Sequence, residues 1–527
     1  MLRYFTTSSA WLIYILILFL YGISFYAFIS HSNENTFWSV SESLKIIKYS
    51  IIQAGLSAVL ATFLGILLAR SFFYLNFKGK GFLYRLISFV WSLPSLVVIF
   101  AVVGVWGHSG WITQLFNYLG IKWSFSIYGL QGILIAHLLL NIPLVTKYTL
   151  EGLQLISENQ FKLASQLRLT GWNYFKIVEL PHLKGILPYA FSNVFLLCFT
   201  SFPIVLMLGG SPKYSTLEVA IYQAVTFEFD FTKAIMLIGV QLVIGVFLQL
   251  IMDITTRYAF SSKVITHPTQ YWLPKPLGWS KLFLQAVLFL QIFAIIVPLM
   301  SIVWEAVIVS NFIGKLLNPA LWIAFGYSLS ISIIASISVI TITYLLILET
   351  RQLAFHHKKL AQSLLAGVTT YPLILPVFLL AVGLFLFFME TELSTSQLLL
   401  IVGLCNGLVL LPYIYRLLFS PMYQAFARYN NLAQTLNLKG VNRWWIVEKP
   451  YLIRPLINAF AFAMSASLGS FSIIAFFGTP DFSSLPYLLY QQLGSYHTED
   501  AAVTALVLML CALLPFLCIK EKRIIND

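Results

Sequence analysis

The chain has 527 residues, of which 59% are hydrophobic and only 10% charged, and its mean hydropathy is +0.86. A water-soluble fold of this length could not hide so much apolar surface, so the composition excludes a soluble globular protein and describes a polytopic membrane protein. The net charge of +13 would suit a nucleic-acid surface, but its placement along the chain argues for membrane topology instead.

The first apolar run, Trp11 to Ile29, is long enough to span a bilayer and has no small-residue cleavage site after it, so it reads as a span rather than a signal peptide. Twelve spans are expected, near 11–30, 47–69, 86–106, 128–148, 186–208, 234–255, 282–304, 322–348, 361–388, 397–419, 455–477 and 501–519. With the N-terminus in the cytoplasm, 26 of the 32 lysines and arginines fall on that side, which orients the chain by the positive-inside rule. Both termini are then expected to be cytoplasmic. Four cysteines (Cys198, Cys405, Cys511, Cys518) lie in or beside apolar runs without metal-type spacing and read as small packing residues. No metal site is expected.

Two polar islands interrupt the apolar runs and repeat one another. Residues 163–181 (LASQLRLTGWNYFKIVELP) align without a gap on residues 432–450 (LAQTLNLKGVNRWWIVEKP), at an offset of 269. Identical pairs include Leu163/Leu432, Ala164/Ala433, Leu167/Leu436, Gly171/Gly440, Asn173/Asn442, Glu179/Glu448 and Pro181/Pro450. Ser157 and Gln160 fit a capping box that opens a short helix, and Leu163, Ala164 and Leu167 are expected to share one of its faces. Gly171 and Gly440 stand where that helix would stop. Asn173 and Asn442 could cap a second helix, which must end or bend near Pro181 and Pro450. Each island is therefore expected to be a helix–turn–helix outside the membrane with a small apolar face. Such a loop could rest on the lipid interface, but two copies in register favour a docking element.

The repeat reaches further. Pro143 matches Pro412 and Lys147 matches Arg416 at the same offset, and Leu217, Tyr222 and Gln223 match Leu485, Tyr490 and Gln491. Tyr49-Ser50 and Tyr327-Ser328 each lead a long span. Two six-span halves related by a parallel repeat are expected. Their boundaries fall at 1–46 (first span and outer loop), 47–256 (first transmembrane domain) and 257–281 (cytoplasmic linker). The second half continues with 282–321 (first span and outer loop), 322–519 (second transmembrane domain) and 520–527 (cytoplasmic tail).

No phosphate-binding loop of the GxxxxGK[ST] type is present, so the chain has no such route to ATP hydrolysis. Ionisable residues deep in the spans are few: Asp253, Glu305 and Glu349 lie towards span ends, and His137 is the clear interior candidate. An intramembrane histidine can relay protons, yet alone it more often bonds one helix to another. Energy for any transport must then come from a partner.

A cytoplasmic loop with a Leu/Ala-rich short helix, a glycine and a closing proline resembles the "EAA" loop of type I ABC importer permeases, and the whole chain resembles two such domains fused head to tail. The islands depart from the family pattern at Lys162 and Asn431, where it has glutamate, and at Arg168 and Asn437, where it has glycine. Segments 128–137 (YGLQGILIAH), 218–224 (EVAIYQA), 485–492 (LPYLLYQQ), 494–496 (GSY) and 502–506 (AVTAL) look most similar to permeases of thiamine and thiamine phosphate importers. The resemblance implies an all-α membrane protein of about twelve transmembrane helices in two tandem six-helix type I ABC permease repeats. It implies a bacterial inner-membrane translocation subunit that is not itself an enzyme and holds no cofactor, with ATP and Mg bound by a partner. The implied partners are two copies of a cytoplasmic ATPase, a periplasmic thiamine-binding protein and membrane lipid, with one permease chain per complex and no nucleic acid.

Under this resemblance Leu163, Ala164, Leu167, Gly171, Glu179 and Pro181, with Leu432, Ala433, Leu436, Gly440, Glu448 and Pro450, would couple to the ATPase. Tyr222, Gln223, Tyr490 and Gln491 are candidates for the substrate path, because a cationic aromatic cargo suits aromatic faces and hydroxyls. The same architecture with ferric iron or another small cargo, and a proton-coupled secondary transporter of two six-span halves, are the competing readings.

Overall fold

The computed structural model describes residues 2–31, 40–121, 125–210, 214–259, 273–274, 276, 278–375, 377–389, 391, 393–438 and 440–517. Most of the expected linker, the tail at 520–527, Lys439 and Cys518 lie outside the described residues. Regular structure among the described residues is entirely helical. The first half comprises α1 (Leu2–Ser30), α2 (Val40–Tyr74), α3 (Lys80–Trp91), α4 (Ser95–Trp106), α5 (Trp111–Tyr118) and α6 (Leu130–Leu153). It continues with α7 (Glu158–Gln166), α8 (Gly171–Tyr174), α9 (Leu180–Leu183), α10 (Leu187–Phe199), α11 (Pro203–Leu208), α12 (Leu217–Thr226) and α13 (Phe231–Ala259). The second half comprises α14 (Trp279–Val307), α15 (Phe312–Leu316), α16 (Pro319–Phe355), α17 (Lys359–Ile374), α18 (Val377–Phe388) and α19 (Thr395–Thr435). It ends with α20 (Gly440–Arg443), α21 (Lys449–Leu468), α22 (Ile474–Phe477), α23 (Leu485–Gly494) and α24 (Thr498–Leu517).

Among the described residues, ten helices are long and apolar enough to cross a membrane, and the bent pair at 171–183 and 187–199, turned by 68°, makes an eleventh. The twelfth expected span, 361–388, is divided between α17 and α18. Three other expected spans are also interrupted. The run 86–106 breaks between α3 and α4 at Pro94. The run 186–208 breaks after Phe199, where Pro203 has no N–H to continue the ladder, and 455–477 breaks after Leu468 at Gly469-Ser470. Hydropathy registers how apolar a run is and does not register such breaks, which membrane proteins tolerate where other helices cover them.

Each half lends its first helix to the other. α1 packs on α16 and α18, and α14 packs on α2 and α4. The two crossings use the same small-residue contact. A Cβ on Gly383 of α18 would sit 2.4 Å from the Ser24 Cβ of α1, and one on Gly104 of α4 would sit 3.1 Å from the Ser301 Oγ of α14. Glycine lets these backbones approach closely, which is how helices associate in lipid, where burial itself supplies little drive. The outward faces of α1 and α14 remain apolar and exposed (Leu12, Phe19, Phe289, Leu290), as lipid-facing surfaces must be.

Two repeat signals that are far apart in sequence meet in space. The Ser50 Oγ on α2 accepts the Leu217 N–H at the start of α12 (3.0 Å), and the Ser328 Oγ on α16 accepts the Leu485 N–H at the start of α23 (2.7 Å). Each serine satisfies an orphan donor of a buried helix N-terminus. His137 is buried, and its Nδ1 lies 3.0 Å from the Ser57 Oγ, a helix-to-helix hydrogen bond between α6 and α2. Cys198 and Cys405 are buried free thiols.

Candidate functional site

The two islands lie at the same end of their halves and close in the same way. In the first, the Gln160 Oε1 accepts the Ser157 N–H (3.1 Å) at the head of α7. The Leu169 N–H then reaches the Ala164 carbonyl (3.0 Å) and the Arg168 N–H reaches the Ser165 carbonyl (3.0 Å). The second island repeats both bonds, Leu438 to Ala433 (2.9 Å) and Asn437 to Gln434 (3.0 Å). This is a Schellman stop, and its left-handed residue is Arg168 (φ 49°) in one copy and Asn437 (φ 50°) in the other. The helix therefore stops at Arg168 and Asn437, three residues before the expected Gly171 and Gly440. Those glycines, also at positive φ (56° and 59°), instead lead into α8 and α20. A non-glycine residue in this conformation costs about 1–2 kcal/mol, least for asparagine.

The apolar face differs from the expected one. Leu163 and Leu432 are each 56% exposed, and Leu167 and Leu436 are 62% and 61% exposed, whereas Ala164 and Ala433 are buried against their own half. Neighbours in a helix point about 100° apart, so Ala164 joins Phe161, three residues before it, on the inner face. The leucines, one turn apart, share the outer face. Ile177 and Trp172 in the first copy, and Ile446 and Trp445 in the second, extend that exposed apolar surface. Gly171, Pro181 and Pro450 are exposed beside it. Asn173 and Asn442 do not cap the second helix; both are exposed within it, and Thr170 is the residue before α8.

A π-helical turn follows in each copy, Phe175–Glu179 and Trp444–Glu448, and delivers its glutamate inward. Glu179 is fully buried; Arg70 on α2 reaches its Oε2 with Nε (2.8 Å), and Tyr74, one turn further, donates to its Oε1 (2.9 Å). Glu448 is held by the Arg351 Nη2 on α16 (2.9 and 3.1 Å to its two oxygens) and by the Arg443 Nε (3.2 Å). The Phe426 ring lies 5.0 Å from the Arg351 guanidinium and 5.1 Å from that of Arg443. Charge-assisted bonds of this kind fix geometry as well as adding energy. Each island is thus bolted to the second spanning helix of its half, α2 or α16. Sequence reading missed Arg70 and Arg351, which stood there only as inside charges. The available signal was that each is a lone cation near the end of an apolar span in a half whose island carries a glutamate.

Between the halves runs an aromatic ladder. Phe202 and Phe471, themselves 269 residues apart, stack with centroids 5.8 Å apart and planes 9° from parallel. Tyr222 lies 5.0 Å from Phe202, and Tyr490 lies 4.9 Å from Phe471. The structure therefore brings the two tyrosines singled out by the repeat onto one stack, one beside each phenylalanine and hydrogen-bonded to each other through their side chains, with Gln223 and Gln491 half-buried beside them. Both phenylalanines stand at the helix breaks, just past α10 and α21. Gly469 admits the first half at this point, since a Cβ there would sit 2.8 Å from the Pro94 Cβ. Nearer the islands, the Arg416 Nη1 donates to the Tyr189 hydroxyl (2.9 Å) and Trp91 stacks on Phe462 (5.6 Å), again across the halves. One buried carboxylate was also missed: Glu218 on α12 accepts from the Gln241 Nε2 on α13. It falls outside every expected span, so a search of spans for charges passed it over.

A fused, twofold-repeated helical bundle with a bolted loop on each half and a closed seam between them is the form of a transporter's membrane component. Residues 61–258 match the family of binding-protein-dependent transport system inner membrane components. The chain is 42% identical to the thiamine transport system permease protein ThiP of Haemophilus influenzae over 481 residues, covering 90% of this chain and 88% of that protein. It is 36% identical to the ThiP of Escherichia coli (92% and 90%) and 33% identical to that of Brucella abortus (89% and 86%). The chain belongs to this family of inner-membrane ABC importer permeases, and it is a translocation subunit rather than an enzyme.

Proposed function

We propose that this permease carries thiamine, and thiamine phosphates, across the inner membrane, driven by an ATPase that docks on the two islands. The observation that carries the coupling assignment is the matched pair of exposed leucine faces, Leu163/Leu167 and Leu432/Leu436, each bolted through a buried Glu–Arg pair to a long spanning helix. Exposed apolar surface on an otherwise polar loop is costly unless a partner covers it. The cargo assignment rests on the named relatives and is supported by the uncharged aromatic seam between the halves.

In this reading both termini and both islands are cytoplasmic, in keeping with the positive-inside charge distribution. One ATPase subunit seats on each island, and ATP and Mg are bound there, not in this chain. A periplasmic thiamine-binding protein delivers cargo to the opposite face, and one fused chain serves each complex. Residues 47–256 and 322–519 act as the two transmembrane domains joined through 257–281. The partner shifts the equilibrium only if it contacts the two states differently. A leucine face tied to α2 or α16 passes that difference on as a rigid movement. Leu163, Leu167, Leu432 and Leu436 make the docking contact, Glu179 and Glu448 hold it to the spans, and Tyr222, Gln223, Tyr490 and Gln491 border the path.

Uptake of labelled thiamine at trace concentration, in cells with and without the gene, tests the whole reading. Gene-dependent uptake should fall with ATP depletion and survive a protonophore. Uptake that follows the proton gradient would remove the ATPase, and uptake that ignores the gene would remove thiamine as cargo.

A further inference from the structure

The aromatic seam is not symmetric, and its asymmetry has the shape of a cation site. On one side Phe202, Phe378, Phe476 and Tyr222 form a closed ring of four side chains. Successive centroids are 4.8 Å (Phe202–Phe378), 5.1 Å (Phe378–Phe476), 5.4 Å (Phe476–Tyr222) and 5.0 Å (Tyr222–Phe202) apart. Phe202 and Tyr222 come from the first half, Phe378 and Phe476 from the second. In the repeat, Phe202 and Tyr222 correspond to Phe471 and Tyr490. Phe378, second residue of α18, corresponds to Leu96, second residue of α4, and Phe476 corresponds to Met207. The box is therefore aromatic on all four sides once, and half aliphatic at the equivalent positions.

We infer that this four-ring box is the subsite that takes the positively charged heteroaromatic ring of the cargo. Three observations carry it. Three contacts of the box are edge-to-face, at 85°, 80° and 66°, so the negative face of one ring already meets the positive edge of the next. A cation is a stronger partner for those faces than a C–H edge, and cages of aromatic rings are how proteins hold organic cations. The four side chains of the box carry one oxygen, the Tyr222 hydroxyl, which is hydrogen-bonded to Tyr490 and Thr226, and no carboxylate. A hard metal cation, which requires several oxygen ligands, carboxylates among them, meets only neutral hydroxyls there, so the box favours an organic cation over ferric iron. Finally, the rings pack on one another and leave no room between them, and two come from each half. Movement of one half against the other must open the box, which couples cargo entry to the rocking of the halves. Glu218, one turn before Tyr222 on α12, is a buried carboxylate already engaged by Gln241 and stands outside the ring.

This inference rests on the thiamine reading and deepens it, because thiamine's thiazolium is such a ring. The test uses the complete complex in proteoliposomes, with its ATPase and binding protein. Uptake of thiamine is compared with uptake of a neutral isostere in which an uncharged ring replaces the thiazolium. The readout is the ratio of kcat/KM for the two, taken relative to wild type. One binding protein delivers both, so its own preference cancels between variants. Phe378→Leu and Phe476→Leu should each lower the ratio by about three- to thirtyfold, with the neutral compound little affected, while Phe378→Tyr, which keeps the ring, should preserve it. If one of the two leucine variants fails to assemble, the other decides. A wild-type ratio in the leucine variants, or no preference for the cation in wild type, would overturn the box. Wild type that transports neither compound would instead sink the thiamine reading.

Discussion

The two halves agree closely at the islands and diverge at the seam. At the islands, leucine exposure matches to within a percentage point, the Schellman bonds match to about 0.1 Å, and each copy has its π turn and buried glutamate. At the seam, the second half has two phenylalanines where the first half has a leucine and a methionine. In the proposed reading the two loops meet two copies of one partner and have to match. A path that passes one asymmetric cargo has no such constraint.

Even the islands are not identical in how they are bolted, and the largest effects should appear there. The Arg351 side chain is 4% exposed and the Arg70 side chain 22%. Stranding one partner of a buried ion pair costs about 3–5 kcal/mol. Glu448→Ala, which leaves two arginines without their carboxylate, should therefore lower thermal stability in detergent more than Glu179→Ala, whose Arg70 can turn towards water. Equal losses would mean that the two bolts carry equal load. Next in size is the inner face. Ala164→Leu and Ala433→Leu should each destabilise by about 1–3 kcal/mol through overpacking, read from the same melts. An unchanged melt would place the alanines on the docking face after all.

A smaller effect separates the two helix stops. Arg168→Gly should stabilise by up to about 1 kcal/mol by relieving the left-handed backbone, and Asn437→Gly by less, because asparagine already tolerates it. Denaturation of paired variants would rank them. The smallest effect lies at the opposite end, where Lys315 meets Glu499 (3.0 Å) and Asp500 (2.9 Å) at the surface. These bonds, that to Asp500 first, raise the lysine's pKa above its ordinary value. Such exposed pairs contribute little, so Lys315→Ala should leave the melting temperature unresolved from wild type.

Much of this was legible in the chain because the repeat records it twice. The islands came from residues at an offset of 269, Tyr222 and Tyr490 from a match at an offset of 268, and Ser50 and Ser328 from the matching starts of two long spans. What was not legible depends on direction and distance. Helical periodicity grouped Ala164 with Leu163 and Leu167, although only the leucines point outward, and burial of the alanine depends on Phe161 and the packing beneath it. Phe202 and Phe471 also share the offset, but in a chain 16% aromatic one matching pair does not stand out until the halves are placed face to face. Phe378 and Phe476 have no aromatic counterparts in the first half, so the repeat could not reveal them.

The most direct measurement is to purify the permease with its ATPase from cells carrying Leu167→Asp, Leu436→Asp or both, and to count ATPase subunits per chain alongside thiamine uptake. Both positions are surface-exposed, so the folded chain should reach the membrane in normal amounts. Docking on two equivalent islands predicts weakened retention for each single variant, and for the pair no retained ATPase and no uptake. A double variant that keeps its full complement of ATPase and transports at the wild-type rate would contradict the account at its centre.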